Sequence, residues 1–179
     1  MLKSIALVLV LAVAALLLYA TTRPDTFAVQ RSTVIQAPAG KLFPLINDLH
    51  QYNTWNPYAH KDPAMQLSYR GPASGPGAAF DFSGNKEAGK GSVEITGGQA
   101  PHRVDMRLHM IEPFEGRNDI EFTLTPQGSQ GEATQVTWAM HGPSPFISKL
   151  VGIFLNMDQM IGRDFETGLA QLKAQAEAH

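Results

Sequence analysis

The sequence predicts an α+β fold: a curved antiparallel β-sheet wrapped around a long C-terminal α-helix, plus an N-terminal transmembrane helix. Three observations carry this prediction. Ile5 to Ala20 is an unbroken apolar run. Three stretches between residues 103 and 140 alternate apolar and polar side chains. After Ser144-Pro145 the apolar spacing changes to threes and fours. Period two marks a strand with one wet and one buried face, and three-four spacing marks a helix with one apolar stripe. A sheet with one apolar face needs a cover, and the C-terminal helix is the only element large enough to supply it.

Lys3 and the amino terminus precede the apolar run, which with Ser4, Thr21 and Thr22 reaches the roughly 20 residues of a spanning helix. Tyr19 lies where an interfacial aromatic sits. A soluble core helix would normally show a polar face, and this one is apolar all round. A cleaved signal would end in a small-x-small site, which Leu18-Tyr19-Ala20 and Ala20-Thr21-Thr22 match poorly, so an uncleaved anchor is favoured. The positive charge ahead of the run favours an inside amino terminus, although Arg23 and Arg31 follow it. The domain is then expected on the periplasmic or extracytoplasmic side. The chain divides into a hydrophobic anchor (or signal segment), residues 1–23, and one domain, residues 24–179.

Arg23-Pro24-Asp25 reads as the linker, and Phe27 to Gln36, rich in Val, Thr and Ile, as the first strand. Pro38 opens a short helix over Ala39 to Asn47, in which Pro44 predicts a kink or an early end. Leu49 to Trp55 forms a second helical stretch, broken by Asn56-Pro57. Met65, Leu67 and Tyr69 alternate, as do Phe80 and Phe82 with Asp81 and Ser83. Gly84-Asn85-Lys86 is a hairpin turn, Gly89 to Thr96 the returning strand, and Gly97-Gly98 the next turn. Arg103 to Met110 alternates without error; Ile120, Phe122 and Leu124 repeat the pattern, as do Val136, Trp138 and Met140, with a turn at Gly128 to Gly131. Short turns between consecutive strands imply an antiparallel meander. Ser144 as N-cap and Pro145 at the first helical position start one helix of about seven turns, its stripe running from Phe146 through Leu150, Ile153, Met157, Ile161, Phe165 and Leu169 to Leu172.

Composition narrows the partners. The chain has 179 residues, 44% of them hydrophobic and 17% charged, with 14 Lys+Arg against 16 Asp+Glu. That is globular rather than disordered. A body of this size buries roughly 70% of its unfolded surface, enough for a core that is partly hollow. No basic cluster stands out, so nucleic acid is not an expected partner. With no cysteine, disulfides, thiol nucleophiles and Cys-based zinc sites are excluded.

Element order and local sequence resemble the helix-grip fold of the START/Bet v 1-like (SRPBCC) superfamily, in its polyketide cyclase/dehydrase-like branch. The resemblance covers Phe27 to Glu177. It rests on Val34-Ile35-Gln36-Ala37-Pro38 with Leu42-Phe43, Asn47-Asp48-Leu49, Trp55-Asn56-Pro57-Tyr58, and Asp62-Pro63-Ala64-Met65. Gly71-Pro72, Gly75-Pro76-Gly77-Ala78, Gly84-Asn85-Lys86 and Asn156 to Gly162 add to it. Many members of this bacterial branch carry an N-terminal anchor. The resemblance implies a cavity for a hydrophobic small molecule or lipid between sheet and C-terminal helix. It fixes no reaction, because family members include carriers, receptors and cyclases.

The residues themselves offer little catalytic chemistry. There is no G-x-S-x-G, Gly-rich phosphate loop or metal-binding spacing, and His50, His60, His102, His109, His141 and His179 are scattered. His60 with Asp62 is a candidate metal or acid/base pair, but loop solvation is the stronger reading. Asp105, Arg107 and His109 share a strand face, yet they are the polar partners of Val104, Met106, Leu108 and Met110 and belong in water. The inward set is Phe80, Phe82, Met106, Leu108, Met110 and Phe122, then Trp138, Met140, Phe154 and Met157. Methionines make such a lining adaptable. Asn118 has inward parity and could orient a ligand's polar end; Trp55 and Tyr58 are candidates for the cavity mouth. The same residues would also make a solid core. The leading expectation is membrane-tethered binding of an apolar molecule, with no cofactor or metal implied. A cyclase/dehydrase-like enzyme, which needs ionisable groups inside, and an envelope interaction module with a filled core are the alternatives.

Overall fold

Strand β1, Thr26–Ile35, pairs along its whole length with the last strand, Ala133–Pro143, rather than with its neighbour in sequence. This computed structural model, which describes residues 2–178, thereby joins the two ends of the body. The intervening strands are β2 Gln66–Arg70, β3 Ala79–Ser83, β4 Lys90–Gln99, β5 Arg103–Glu112 and β6 Gly116–Gln127, and the last is β7. They form one antiparallel, curved sheet in the order β1-β7-β6-β5-β4-β3-β2. The meander from β2 to β7 follows from the short turns, and β1 reaches its edge because two helices carry the chain across first.

Those helices are α2, Ala39–Asn47, and α3, Leu49–Trp55, after the N-terminal α1, Leu2–Thr21. In α2, Leu42 and Ile46 are fully buried. Pro44 sits inside this nine-residue helix. The N–H it lacks would have met the carbonyl of Gly40, an exposed residue in the first turn, so its cost is small. Asp48 ends α2 and caps α3, accepting from the N–H of His50 (2.8 Å) and of Gln51. Asn56 likewise caps a short 3-10 turn, Pro57–His60, by accepting from the Tyr58 N–H.

Three sequence expectations fail here. Gly97 and Gly98 do not turn the chain; they lie in β4, where the register slips between Ile95 and Gly97, and the turn follows at residues 100–102. Glycine at φ +148 lets the bulge sit against the Arg103 carbonyl, where a Cβ would meet its oxygen at 2.3 Å. The long helix is also two helices, α4 Phe146–Phe154 and α5 Met157–Glu177. Leu155 is extended, and Asn156 caps α5 by accepting from the Gln159 N–H (3.0 Å). Ser144 is not the α4 cap, which is Pro145 with no side-chain bond.

Of α4 and α5, only α5 covers the sheet. It buries Phe165, Leu169 and Leu172, and Trp138 stacks on Phe165 with centroids 4.2 Å apart. No residue of α4 is buried. α4 packs against α1 instead. From Lys3 to Thr21, α1 is long and apolar enough to cross a membrane, and almost none of it is covered by the domain. Met1 and His179 lie outside the described residues.

Candidate functional site

The sheet's inner face and the first half of α5 do not close on each other. They leave a cavity of about 240 Å³. This is a little below the roughly 300–1,000 Å³ usual for ligand sites. Phe80 and Phe82 on β3, Val93 on β4, Leu108 and Met110 on β5, and Ile120 on β6 form its sheet wall, with Trp138 and Met140 on β7. Ile161 and Phe165 face them from α5, and Tyr52, Asn53, Asn56, Tyr58 and Ala59 close the side. Phe82, Leu108, Met110, Asn118 and Ile161 are partly exposed and, with Met65 and Glu87, mark the mouth.

Inside the mouth, where Glu87 stands, the polar part of the wall is made of amides and phenols. The Asn53 amide donates to the Tyr69 hydroxyl (3.0 Å), and Asn56 donates to the Asn53 carbonyl oxygen (3.2 Å). Burial pushes the Tyr52 hydroxyl well above the usual phenol range. Burial does the same to Tyr58, reinforced by the Asp164 carboxylate nearby. Both phenols therefore stay protonated across physiological pH. Trp138 Nε1 is buried with no hydrogen-bond partner. Its ring stands edge-on to Trp55 (84°, centroids 5.8 Å) and stacks on Phe165.

Of the residues predicted to face a ligand, Tyr58, Phe80, Phe82, Leu108, Met110, Asn118, Trp138 and Met140 line this cavity. Five do not. Met106 and Phe122 point inward as their parity requires, but are sealed deeper in the core. Trp55 is also core: its Nε1 donates to the Leu45 carbonyl (2.8 Å), which holds it away from the mouth. Phe154 and Met157 are exposed, because the helix break at Leu155-Asn156 turns α4 off the sheet. Val93, Ile120, Ile161 and Phe165 were missed although their inward parity or stripe position was readable. Met65 was read in the alternation with Leu67 and Tyr69 but not assigned to the site; Tyr52 and Asn53 carried no such signal.

The candidate acid/base groups lie elsewhere. Asp105 and Glu121 pair with Arg103, and Asp119 with Arg107, on the outer face of the sheet. His109 Nε2 lies 3.6 Å from the Glu115 carboxylate at the rim of that face. Asp62 accepts from the N–H groups of Ala64 and Asn85, fixing two loops, and His60 Nε2 lies 3.3 Å from the Thr54 carbonyl. Among the described residues no group of three His, Asp or Glu could hold a metal ion.

The sequence from residue 26 to 177 matches the family described as polyketide cyclase/dehydrase and lipid transport. No curated protein matches the chain in sequence. Among solved structures it is similar to ginseng major latex-like protein 151 from Panax ginseng (TM-score 0.60, 9% identity, covering 86% of this chain and 99% of that one). It is similar to protein CV1439 from Chromobacterium violaceum (TM-score 0.58, 15% identity, 86% and 99%). The Aha1 dimer from Colwellia psychrerythraea is a third (TM-score 0.56, 17% identity, 84% and 96%). At these identities the likeness concerns the fold alone, which is the helix-grip arrangement anticipated from element order. The chain belongs to the polyketide cyclase/dehydrase and lipid transport family.

Proposed function

We propose that this domain, tethered to a membrane by α1, takes up an uncharged apolar small molecule or lipid in the cavity between sheet and α5. One observation carries the reading: the cavity is walled by Phe, Leu, Met, Ile and Trp side chains. Its interior ionisable groups are two phenols held in their neutral form. Such a wall favours apolar burial and disfavours a charged ligand. The volume suits a compact molecule or part of an acyl chain rather than a whole lipid. Cyclase or dehydrase chemistry would need an acid/base pair at a substrate, and Asp105, Arg107 and Asp119 face the wrong way.

Native mass spectrometry of the full chain, released from detergent, tests this. A reproducible bound mass that organic extraction removes, and that Leu108→Trp abolishes by filling the cavity, supports the reading. A mass retained by Leu108→Trp, or none after incubation with mixed lipids, sinks it.

A further inference from the structure

We infer that α4 and the tip of the β5–β6 loop form a second membrane contact. They would lie in the headgroup–acyl boundary beside α1, so that the hollow end of the domain faces lipid. The inference rests on the tethered reading above and adds a surface to it.

The topology places the parts together. The register sets Thr26 opposite Pro143, Met110 opposite Gly116, and Lys90 opposite Glu112. The start of β1, the end of β7 and the β5–β6 loop therefore share one end of the sheet. The residues Phe82, Met110, Asn118 and Met140 put the cavity at that same end.

α4 is also fixed at the level where α1 ends. The Ser144 N–H donates to the Asp25 carbonyl (2.7 Å), and the Lys149 ammonium pairs with the Asp25 carboxylate. Asp25 lies four residues beyond the last residue of α1, Thr21. A helix crossing the hydrocarbon core with Thr21 at its edge puts α4 at the water boundary.

The chemistry of α4 suits that place. Ile147, Val151 and Phe154 fall on one stripe, and all three are exposed. Phe154 is 73% exposed and Phe114, at the loop tip, 72%. Lys149 is the only charged residue of α4, and it is turned to Asp25. Large apolar side chains bare to water stabilise nothing, whereas in the boundary region they insert. A bilayer is favoured over a protein partner because α4 is continuous with the surface of the spanning helix itself.

The chain has no cysteine, so single introduced thiols label cleanly. The full chain is placed in nanodiscs of phosphatidylcholine and phosphatidylglycerol. Phe154→Cys, Phe114→Cys, Leu9→Cys in α1 and Ser129→Cys at the opposite end each carry a small fluorophore. Quenching by a nitroxide lipid is compared with quenching by aqueous iodide. The expected result is several-fold stronger lipid quenching at positions 154, 114 and 9, and the reverse at 129. Lipid quenching at 9 with iodide quenching at 154 overturns the inference and leaves the tether standing. Protection of 154 from both quenchers overturns it in favour of a protein cover. Iodide quenching at 9 removes the tether and the inference with it.

Discussion

At the end of the sheet away from α1, Ile35, Leu42, Ile46, Leu124 and Leu172 are closed to solvent. At the end nearest α1, Phe82, Leu108, Met110 and Ile161 stand partly open around a cavity. Both ends use large apolar residues on the same sheet face. What differs is the cover. The far end receives α2 as well as the end of α5, locked by Lys41 on the Ala176 carbonyl (2.7 Å) and Lys173 on the Val34 carbonyl (2.9 Å). The near end receives the start of α5, the 3-10 turn and Tyr52 and Asn53 of α3, but not α2. The hollow therefore comes from a missing helix layer, not from special residues.

Truncation at the two ends should break this symmetry most. Leu42→Ala leaves a void in a closed site and is expected to cost about 2–5 kcal/mol. Leu108→Ala, whose side chain already borders empty space, should cost roughly half that or less. Urea unfolding of both variants decides; equal costs would mean that the near end is as tightly filled as the far one. Two glycines give a smaller contrast. A Cβ at Gly168 would meet Trp138 Cζ3 at 2.7 Å and Pro57 Cδ at 2.8 Å, so Gly168→Ala should lose about 1–3 kcal/mol. Gly152 in α4 has nothing within 4 Å, so Gly152→Ala should gain about 0.5–1 kcal/mol of helix stability. Melting temperatures moving in opposite directions would support the distinction.

The smallest expected effect depends on pH. Hydrogen bonding and charge from Lys149 hold the Asp25 carboxyl below its ordinary range, and Arg31 does the same for Asp158. A folded value below the unfolded one gives stability that is complete above the ordinary carboxylate range. That stability is lost as pH falls through the depressed folded value. Both carboxylates are exposed, so the effect is slight. Asp25→Asn should lower the melting temperature a little at neutral pH and by less at about pH 3, where the contribution is already being lost. An equal loss at both would mean the pair does not hold α4.

Much of the fold was legible because alternation reports which face a strand residue occupies. Val104, Phe122 and Trp138 were placed inward on that ground alone and are inward. Parity is silent about depth along the strand, so Met106 and Phe122 were assigned to a cavity that begins two residues further along each strand, at Leu108 and Ile120. The stripe from Phe146 to Leu172 read as one helix because periodicity reports an apolar face and not what covers it. The α4 part of that stripe meets α1, and the break is hidden because Asn156, a cap, follows the apolar Leu155. Tyr52 and Asn53 reach the cavity only because Asp48 caps α3 and aims it, a fact of tertiary placement.

The guanidinium of Arg31 on β1 binds both Asp158 (2.9 Å) and Glu166 (2.8 Å) on α5, lying flat where Gly162 has no side chain to displace it. Seen as a load path, this pair of contacts would matter to the domain if it hangs from a membrane as proposed. A pull on α1 enters the body through β1. Ten consecutive residue pairs with β7 take it in shear, many bonds at once, while Arg31 passes part of it directly to α5. Tension on α1 would be carried by the sheet edge and the wall of the cavity together, and so would draw the two in the same direction instead of prying them apart.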